Sequence, residues 1–201
     1  MEVGEQRMRI VAGIFRGRLL SAPAGETTRP TTDRIREAVF SSIASLAGSD
    51  MGGGSVLDAF AGSGALGLEA LSRGAASVTF VEQDRDALTA IKRNVDALSA
   101  AAITSVVSGD IFGLASRAAL PGAPFALLLL DPPYRLEPTK VVELLNVLAK
   151  NDLLEDGATV MWEHAKNVSP AWPEEFYLEK HKKYGSTEVD IATYERGAGS
   201  S

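Results

Sequence analysis

Short apolar runs alternate with amphipathic stretches from residue 55 onward. Runs of this kind predict buried strands, and apolar residues three and four positions apart predict helices. The predicted strands are Ser55–Ala59, Ser77–Glu82, Ile103–Val107, Phe125–Leu130 and Ala158–Glu163. The predicted helices are Ala65–Arg73, Arg85–Ser99, Phe112–Ala119 and Pro138–Lys150. This alternation predicts a mostly parallel sheet with helices on both faces.

The two ends of the chain break this alternation. Near the C-terminus, Phe176–Lys182 and Thr187–Tyr194 flank a turn that contains Gly185, which predicts an antiparallel hairpin. The sheet is therefore expected to be an α/β sandwich of seven strands. Near the N-terminus, Met8–Leu20 predicts two short β segments with glycines at the bends, and a helix is expected after Thr31-Thr32-Asp33.

These patterns divide the chain into four parts. Residues 1–47 form an arginine-rich β-hairpin and helix, and residues 48–55 form a glycine-rich connector. Residues 56–195 form the main domain, and residues 196–201 are an expected disordered tail.

The net charge of −6 conceals an uneven distribution. Residues 7–36 hold seven arginines against two acids, a local charge of +5, whereas residues 37–201 carry −9. A basic arm on an acidic body suggests a polyanionic partner, and arginine is the side chain best suited to contact phosphate.

Composition also excludes several classes of protein. The chain has no cysteine, so it has no disulfides or thiolate metal sites, which fits a cytoplasmic location. The two histidines, His164 and His181, are too few for a histidine-rich metal site, and we expect no metal. Neither a long apolar run nor a signal-type N-terminus predicts membrane insertion or secretion.

A glycine-rich loop follows the first strand of the main domain. Gly62, Gly64 and Gly67 satisfy the pattern G-x-G-x-x-G, and Glu82 lies twenty residues after Gly62 at the end of the next strand. This spacing predicts a nucleoside-containing cofactor whose ribose is held by the acid. Both a nicotinamide dinucleotide and S-adenosylmethionine fit it, although Asp58 suits the positively charged end of S-adenosylmethionine.

Four predicted strands end in acids: Asp58, Glu82, Asp110 and Asp131. Ligands of open α/β sheets bind beyond the carboxyl ends of the strands, so these acids are expected to converge on one crevice.

The last acid begins the most informative motif, Asp131-Pro132-Pro133-Tyr134. The prolines end the strand and stiffen the chain that follows. The Asp131 carboxylate and the Pro132 carbonyl are then placed to accept hydrogen bonds from an exocyclic amine, and Tyr134 is placed to stack on its ring.

These motifs resemble those of class I S-adenosylmethionine methyltransferases with a Rossmann-like fold that act on exocyclic nucleobase amines. The N-terminal part resembles the bacterial RsmD-type family, which methylates guanine N2 in 16S ribosomal RNA. The residues that carry this closer resemblance are Arg9-Ile10, Gly13, Arg16-Gly17-Arg18 and Arg29 to Phe40.

The resemblance implies S-adenosyl-L-methionine as the cofactor and a 16S rRNA guanine, in a protein-bearing small ribosomal subunit, as the substrate of a monomeric enzyme. The implied catalytic residues are Asp131, Pro132, Pro133 and Tyr134. The implied cofactor-binding residues are Arg29, Thr31, Asp58, Phe60, Gly62, Gly64, Glu82 and Asp110. The expected RNA contacts are Arg9, Arg16, Arg18, Arg34 and Arg36.

Three other functions compete with this one. A DNA adenine-N6 methyltransferase uses the same Asp-Pro-Pro-Tyr chemistry, but this chain lacks room for a large DNA-target domain. A nicotinamide dehydrogenase would explain the glycines and Glu82, but not Asp131–Tyr134. The third is a non-catalytic RNA-binding assembly factor on the same fold.

Overall fold

The computed structural model describes residues 8–23, 33–47, 53–166 and 168–197. Its strands are β1 (Ser55–Asp58), β2 (Ser77–Glu82), β3 (Thr104–Ser108), β4 (Phe125–Leu130), β5 (Leu154–Ala165), β6 (Phe176–Tyr184) and β7 (Thr187–Tyr194). Its α-helices in these ranges are α1 (Asp33–Ala47), α2 (Ala65–Ser72), α3 (Arg85–Ala97), α4 (Ile111–Ser116) and α5 (Pro138–Lys150).

The strands form one sheet in the order β3-β2-β1-β4-β5-β7-β6. Strands β1 to β5 run parallel, and β7 pairs antiparallel with both β5 and β6. The predicted α/β class, with a parallel sheet closed by an antiparallel hairpin, is confirmed. The strand order reverses between β1 and β4, and such a reversal opens a crevice at the carboxyl edge of the sheet.

Two predicted elements differ from the observed ones by three or more residues at one end. Strand β5 begins at Leu154 rather than Ala158, because its first residues form an irregular stretch in which Gly157 has a φ of +81°. A register shift in the pairing with β4 accommodates this stretch. Helix α4 ends at Ser116 rather than Ala119, because Ala118 has a positive φ of 49° that no helix continues.

The N-terminal hairpin is smaller than expected and is joined to the main domain. A single antiparallel bridge pairs Arg9 with Leu19, and the Ile10 amide donates to the Arg18 carbonyl at 3.0 Å. Ile10 and Leu20 are buried in the same core as residues of α1, α2 and the sheet. The hairpin and α1 therefore share a core with the sheet.

A second core lies on the other face of the sheet, under α4 and α5. The first residue of the predicted tail, Arg196, donates its amide to Asp156 at 2.9 Å, so this end of the chain is fastened to the start of β5. Residues 48–52 of the predicted connector and 198–201 of the predicted tail lie outside the described residues. Within the described ranges, no helix is both long and apolar enough to cross a membrane.

Candidate active site

The strand-order reversal brings two of the predicted acids to the same edge. Asp58 is the last residue of β1, and Asp131 directly follows β4, its parallel neighbour. Burial raises the pKa of Asp58 to about 7; a hydrogen bond from Gly67 opposes this rise, and the charges of Asp131 and Glu82 add to it. Asp58 is therefore close enough to both Asp131 and Glu82 to be repelled by their charges, and such a site favours a cationic ligand.

The Asp58 carboxylate is only half satisfied. Its Oδ2 accepts a hydrogen bond from the Gly67 amide at 2.9 Å, whereas its Oδ1 is buried and accepts none from the described residues. A buried acceptor without a donor is costly, and donors such as an ammonium group would remove that cost.

The glycine loop is held to the end of β2 by the next acid. Glu82 Oε2 accepts the Gly62 amide at 2.8 Å, and Oε1 accepts the amides of Gln83 and Asp84 at 2.8 and 2.9 Å. A carboxylate has about four acceptor positions. Glu82 can therefore position the loop and still accept a hydroxyl donor.

Each of the other two glycines has its own geometric reason. Gly64 has a φ of +80° at the start of α2, a conformation that L side chains rarely adopt. At Gly67, an added Cβ would lie 2.4 Å from the ring of Phe80, so only glycine lets α2 pack closely on β2. The loop backbone thereby lies close to the sheet, which leaves space above the loop for a ligand.

Asp110 and Phe60 lie on the other side of the glycine loop. Asp110 is exposed and caps α4, where its Oδ2 accepts the Gly113 amide at 3.1 Å. Phe60 is half-buried and packs edge-to-face on Phe112, with ring centroids 6.4 Å apart. An acceptor beside an aromatic pair suits a planar base that carries an amino group.

The Asp131–Tyr134 motif forms a fixed turn beyond β4. The Leu136 amide donates to the Pro133 carbonyl at 2.7 Å, and Pro132 is buried. The half-buried Tyr134 has its hydroxyl 2.7 Å from Oγ1 of Thr187, the first residue of β7. The Tyr134 ring is thus anchored at its hydroxyl end beside the crevice.

The N-terminal arginines divide into two groups. Arg9, Arg16, Arg18 and Arg34 are exposed, although Arg9 also pairs with Asp33 at 2.6 Å. Arg29 and Thr31, which were predicted to hold the cofactor, lie outside the described residues.

Arg36 differs from the exposed arginines because its side chain is only 3% exposed. Its Nη2 donates to the Arg9 carbonyl at 2.6 Å and to Asp33 at 2.9 Å, and its Nε lies 3.7 Å from Glu69. This burial is incompatible with the predicted contact between Arg36 and RNA. Arg36 instead ties α1 to the hairpin and to α2.

The buried acid Glu69 is a site residue that the sequence patterns missed. Its carboxylate accepts the amides of Val11 and Ala12 at 2.7 and 3.0 Å and pairs with Arg73 at 2.7 Å. Glu69 thus fastens the arginine hairpin to α2, the helix that begins in the glycine loop. Its position inside an apolar helix, Ala65–Ser72, was the one available signal.

Comparison with known proteins identifies relatives over nearly the whole chain. The family model described as Conserved hypothetical protein 95 matches residues 8–193. Ribosomal RNA small subunit methyltransferase D of Escherichia coli K12 is 37% identical over 196 residues, which cover 97% of this chain and 93% of the relative.

Solved structures share the fold. The structure of Escherichia coli yhhF has a TM-score of 0.79 at 35% identity and covers 95% of this chain and 99% of its own. An RNA methyltransferase from Salinibacter ruber, solved with S-adenosyl-L-homocysteine, has a TM-score of 0.60. At 16% identity, with 86% of this chain and 97% of that chain covered, it shares the fold alone.

The fold and the acid-lined crevice define a class I methyltransferase that uses S-adenosyl-L-methionine. The half-satisfied, buried Asp58 and the charges of Asp131 and Glu82 that act on it fit the cationic methionine end of this cofactor. Within this class, the chain belongs to the family described as Conserved hypothetical protein 95, the RsmD family, and the predicted resemblance is confirmed.

Proposed function

We propose that this protein methylates the exocyclic N2 amine of a guanine in 16S ribosomal RNA. The observation that carries the proposal is the position of Asp131, which follows β4 next to Asp58 at the strand-order reversal. The name of the Escherichia coli relative, a small-subunit ribosomal RNA methyltransferase, supports the RNA substrate.

The cofactor would be held by residues on both sides of the glycine loop. Asp58 would accept hydrogen bonds from its ammonium group, Glu82 would accept those of the ribose hydroxyls, and Asp110 that of the adenine amine. Phe60 and the backbone of Gly62 and Gly64 would line the rest of the site, and Arg29 and Thr31 would cover the methionine end. When bound, S-adenosylmethionine supplies an electrophilic methyl group.

Asp131 and Pro132 would prepare the amine for attack. The lone pair of a guanine N2 amine is delocalised into the ring, so the free amine is a poor nucleophile. Two acceptors, the Asp131 carboxylate and the Pro132 carbonyl, would bind its two N–H groups and favour a pyramidal nitrogen. Because the methylated nitrogen is acidic, Asp131 can take the released proton, and catalysis depends mainly on positioning.

Tyr134 would hold the base that carries this amine. A base taken out of its stack needs an aromatic partner, and each such stack is worth about 1–3 kcal/mol. The hydrogen bond between Tyr134 and Thr187 fixes one end of the ring, so less side-chain freedom is lost when the base arrives. Pro133, which is exposed and lies between Pro132 and Tyr134, keeps the turn stiff.

The exposed arginines would bind the surrounding RNA. Arg9, Arg16, Arg18 and Arg34 lie on the hairpin and the first turn of α1, at positions that solvent reaches. Arginine forks pair with phosphate oxygens in two-point contacts. We place these contacts on 16S rRNA within a protein-bearing small subunit, with the enzyme acting as a monomer.

The decisive experiment uses small ribosomal subunits from a bacterial strain that lacks its RsmD-type enzyme. Incubation with labelled S-adenosylmethionine and the protein should produce N2-methylguanosine in 16S rRNA, identified after digestion to nucleosides. Asp131→Asn is the matched inactive control. N6-methyladenosine in a DNA substrate would instead show the adenine methyltransferase, and RNA binding without cofactor binding would show the assembly factor.

A further inference from the structure

Two histidines and an aspartate meet on the antiparallel part of the sheet. His164 is on β5, Asp190 on β7 and His181 on β6. Because β7 lies between the other two strands, Asp190 pairs in register with both His181 and Trp162. One ligand atom from each of the three side chains lies within 4.8 Å of the others.

One nitrogen of the buried His164 ring faces this cluster without a hydrogen-bond partner. Its Nδ1 lies 3.1 Å from the Ala165 carbonyl, which can only accept, so Nδ1 carries a hydrogen. The buried Nε2 has no hydrogen-bond partner among the described residues. It lies 3.5 Å from Asp190 Oδ2, a separation close to that of two ligand atoms on one tetrahedral metal ion.

The orientation of Asp190 is also fixed. Asp190 Oδ1 is 2.6 Å from His181 Nδ1, and Asp190 Oδ2 accepts the Trp172 indole N–H at 3.3 Å. Metal ligands are commonly oriented in this way, by a carbonyl behind a histidine and a donor behind a carboxylate.

A second buried carboxylate increases the local negative charge. Glu188 is 3% exposed, and its Oε2 lies 3.7 Å from His181 Nε2. Lys183, which is itself largely exposed, is 3.3 Å from Glu188 Oε1, a buried oxygen without a hydrogen-bond partner in the described chain. The cluster therefore brings two buried carboxylates against the same imidazole.

We infer that His164, His181 and Asp190 form a site for a divalent transition metal, namely Zn²⁺. Two imidazole nitrogens and a carboxylate oxygen are a zinc donor set, whereas Mg²⁺ and Ca²⁺ require oxygen ligands. Glu188 or a water molecule completes the tetrahedron at the exposed side of His181. The site reverses the expectation from sequence that these histidines bind no metal.

Only a small adjustment is needed to bind the ion. Donors of a tetrahedral zinc site lie roughly 3.3 Å apart, given Zn–N distances of about 2 Å. His181 is 37% exposed, so its ring can shift out of the 2.6 Å contact with Asp190 and turn a nitrogen toward the ion while the two buried ligands stay in place. The bound metal would join β5, β6 and β7, and so would hold the C-terminal hairpin to the parallel sheet.

The test is a titration of the full chain, treated with chelator and free of any histidine tag, with Zn²⁺ and with Co²⁺. We expect one ion per chain by calorimetry, visible absorption typical of tetrahedral Co²⁺, and a higher melting temperature with Zn²⁺. The chain has two histidines and no cysteine, so few other strong ligands compete. Excess Mg²⁺ should leave Zn²⁺ binding unchanged.

Two variants on β6 make the result specific. His181→Gln should weaken Zn²⁺ binding by at least about tenfold and abolish the Co²⁺ spectrum. Lys182→Gln, the next residue and on the opposite face of the strand, should bind Zn²⁺ like the original chain. The inference is overturned if the original chain takes up no Zn²⁺ at a one-to-one ratio, or if both variants bind it equally well.

Discussion

The substitution Asp58→Asn tests the electrostatics of the crevice directly. Asn has the shape of Asp, and its amide oxygen can still accept the Gly67 amide, but it cannot ionise. In the folded protein without cofactor, burial raises the pKa of Asp58 from 3.8 to about 7. The folded state therefore holds a proton that the unfolded state has already released between these two values.

The sign and size of the effect follow from this difference. A carboxyl with a raised pKa contributes stability that is complete below pH 3.8 and is lost as the pH rises through about 7. Between pH 5 and pH 8, this loss amounts to about 3 kcal/mol for the original chain. The Asp58→Asn variant has no such loss, so the difference between the two unfolding free energies should change by that amount.

The assay is urea unfolding of both proteins without cofactor at several pH values from 5 to 8. Asp96→Asn, at an exposed position on α3, is the matched control and should leave the pH dependence of stability unchanged. If the curves of the original chain and the Asp58→Asn variant run parallel, Asp58 has an ordinary pKa, and the reasoning about the cationic ligand fails.

The same group predicts a proton release when the cofactor binds. A cation beside Asp58 lowers its pKa, so binding of S-adenosylmethionine at pH 7 should release about half a proton. Calorimetry in two buffers of different ionisation enthalpy measures this number, and the Asp58→Asn variant should release none from this site.

Three further predictions concern the substrate side of the enzyme and the hairpin that carries its arginines. Tyr134→Ala should lower methyl transfer roughly 10- to 100-fold, while cofactor affinity, measured by calorimetry, stays nearly unchanged. Tyr134→Phe should keep most of the rate. Equal loss of rate and cofactor affinity in Tyr134→Ala would refute the role of Tyr134 in holding the base. Replacing Arg16 and Arg18 together by Gln should reduce the slope of log binding constant against log salt concentration for RNA by about 1.5 units, and Lys150→Gln should not change this slope. An unaltered slope in the double variant would show that these arginines do not contact phosphate. Glu69→Gln should destabilise the protein by about 3 kcal/mol in urea unfolding, because it breaks a buried ion pair; unchanged stability would contradict the fastening role of Glu69.

Sequence patterns predicted the parallel sheet well because its strands are unambiguous. β2 and β4 have the predicted bounds, and both are short apolar runs that can only be buried on two faces. The start of β5 was missed because Leu154 to Gly157 has the composition of a turn. A strand with an irregular beginning is recognised only when its partner strand is known.

The positions of candidate site residues were predictable where they depend on neighbours in sequence. Asp58, Glu82, Asp110 and Asp131 lie at or just beyond strand ends as predicted, because the end of a strand is visible in the chain. The burial of Arg36 was not predictable, because its partner Glu69 is on a different helix and no local pattern connects the two. Likewise, His164 and His181 become neighbours only when β7 is inserted between their strands.

The N-terminal hairpin shares its core with the rest of the domain, and this limits which deletions and exchanges of the hairpin leave the protein folded. A truncation that removed residues 8–23 would strip Ile10 and Leu20 from the interior and leave Glu69 without its two amide donors. A loss of RNA binding by such a truncated protein would reflect misfolding rather than the loss of RNA contacts. For the same reason, exchanging this hairpin as a module would also exchange buried residues that pack against α1 and α2, so only its exposed side chains can vary independently of the core.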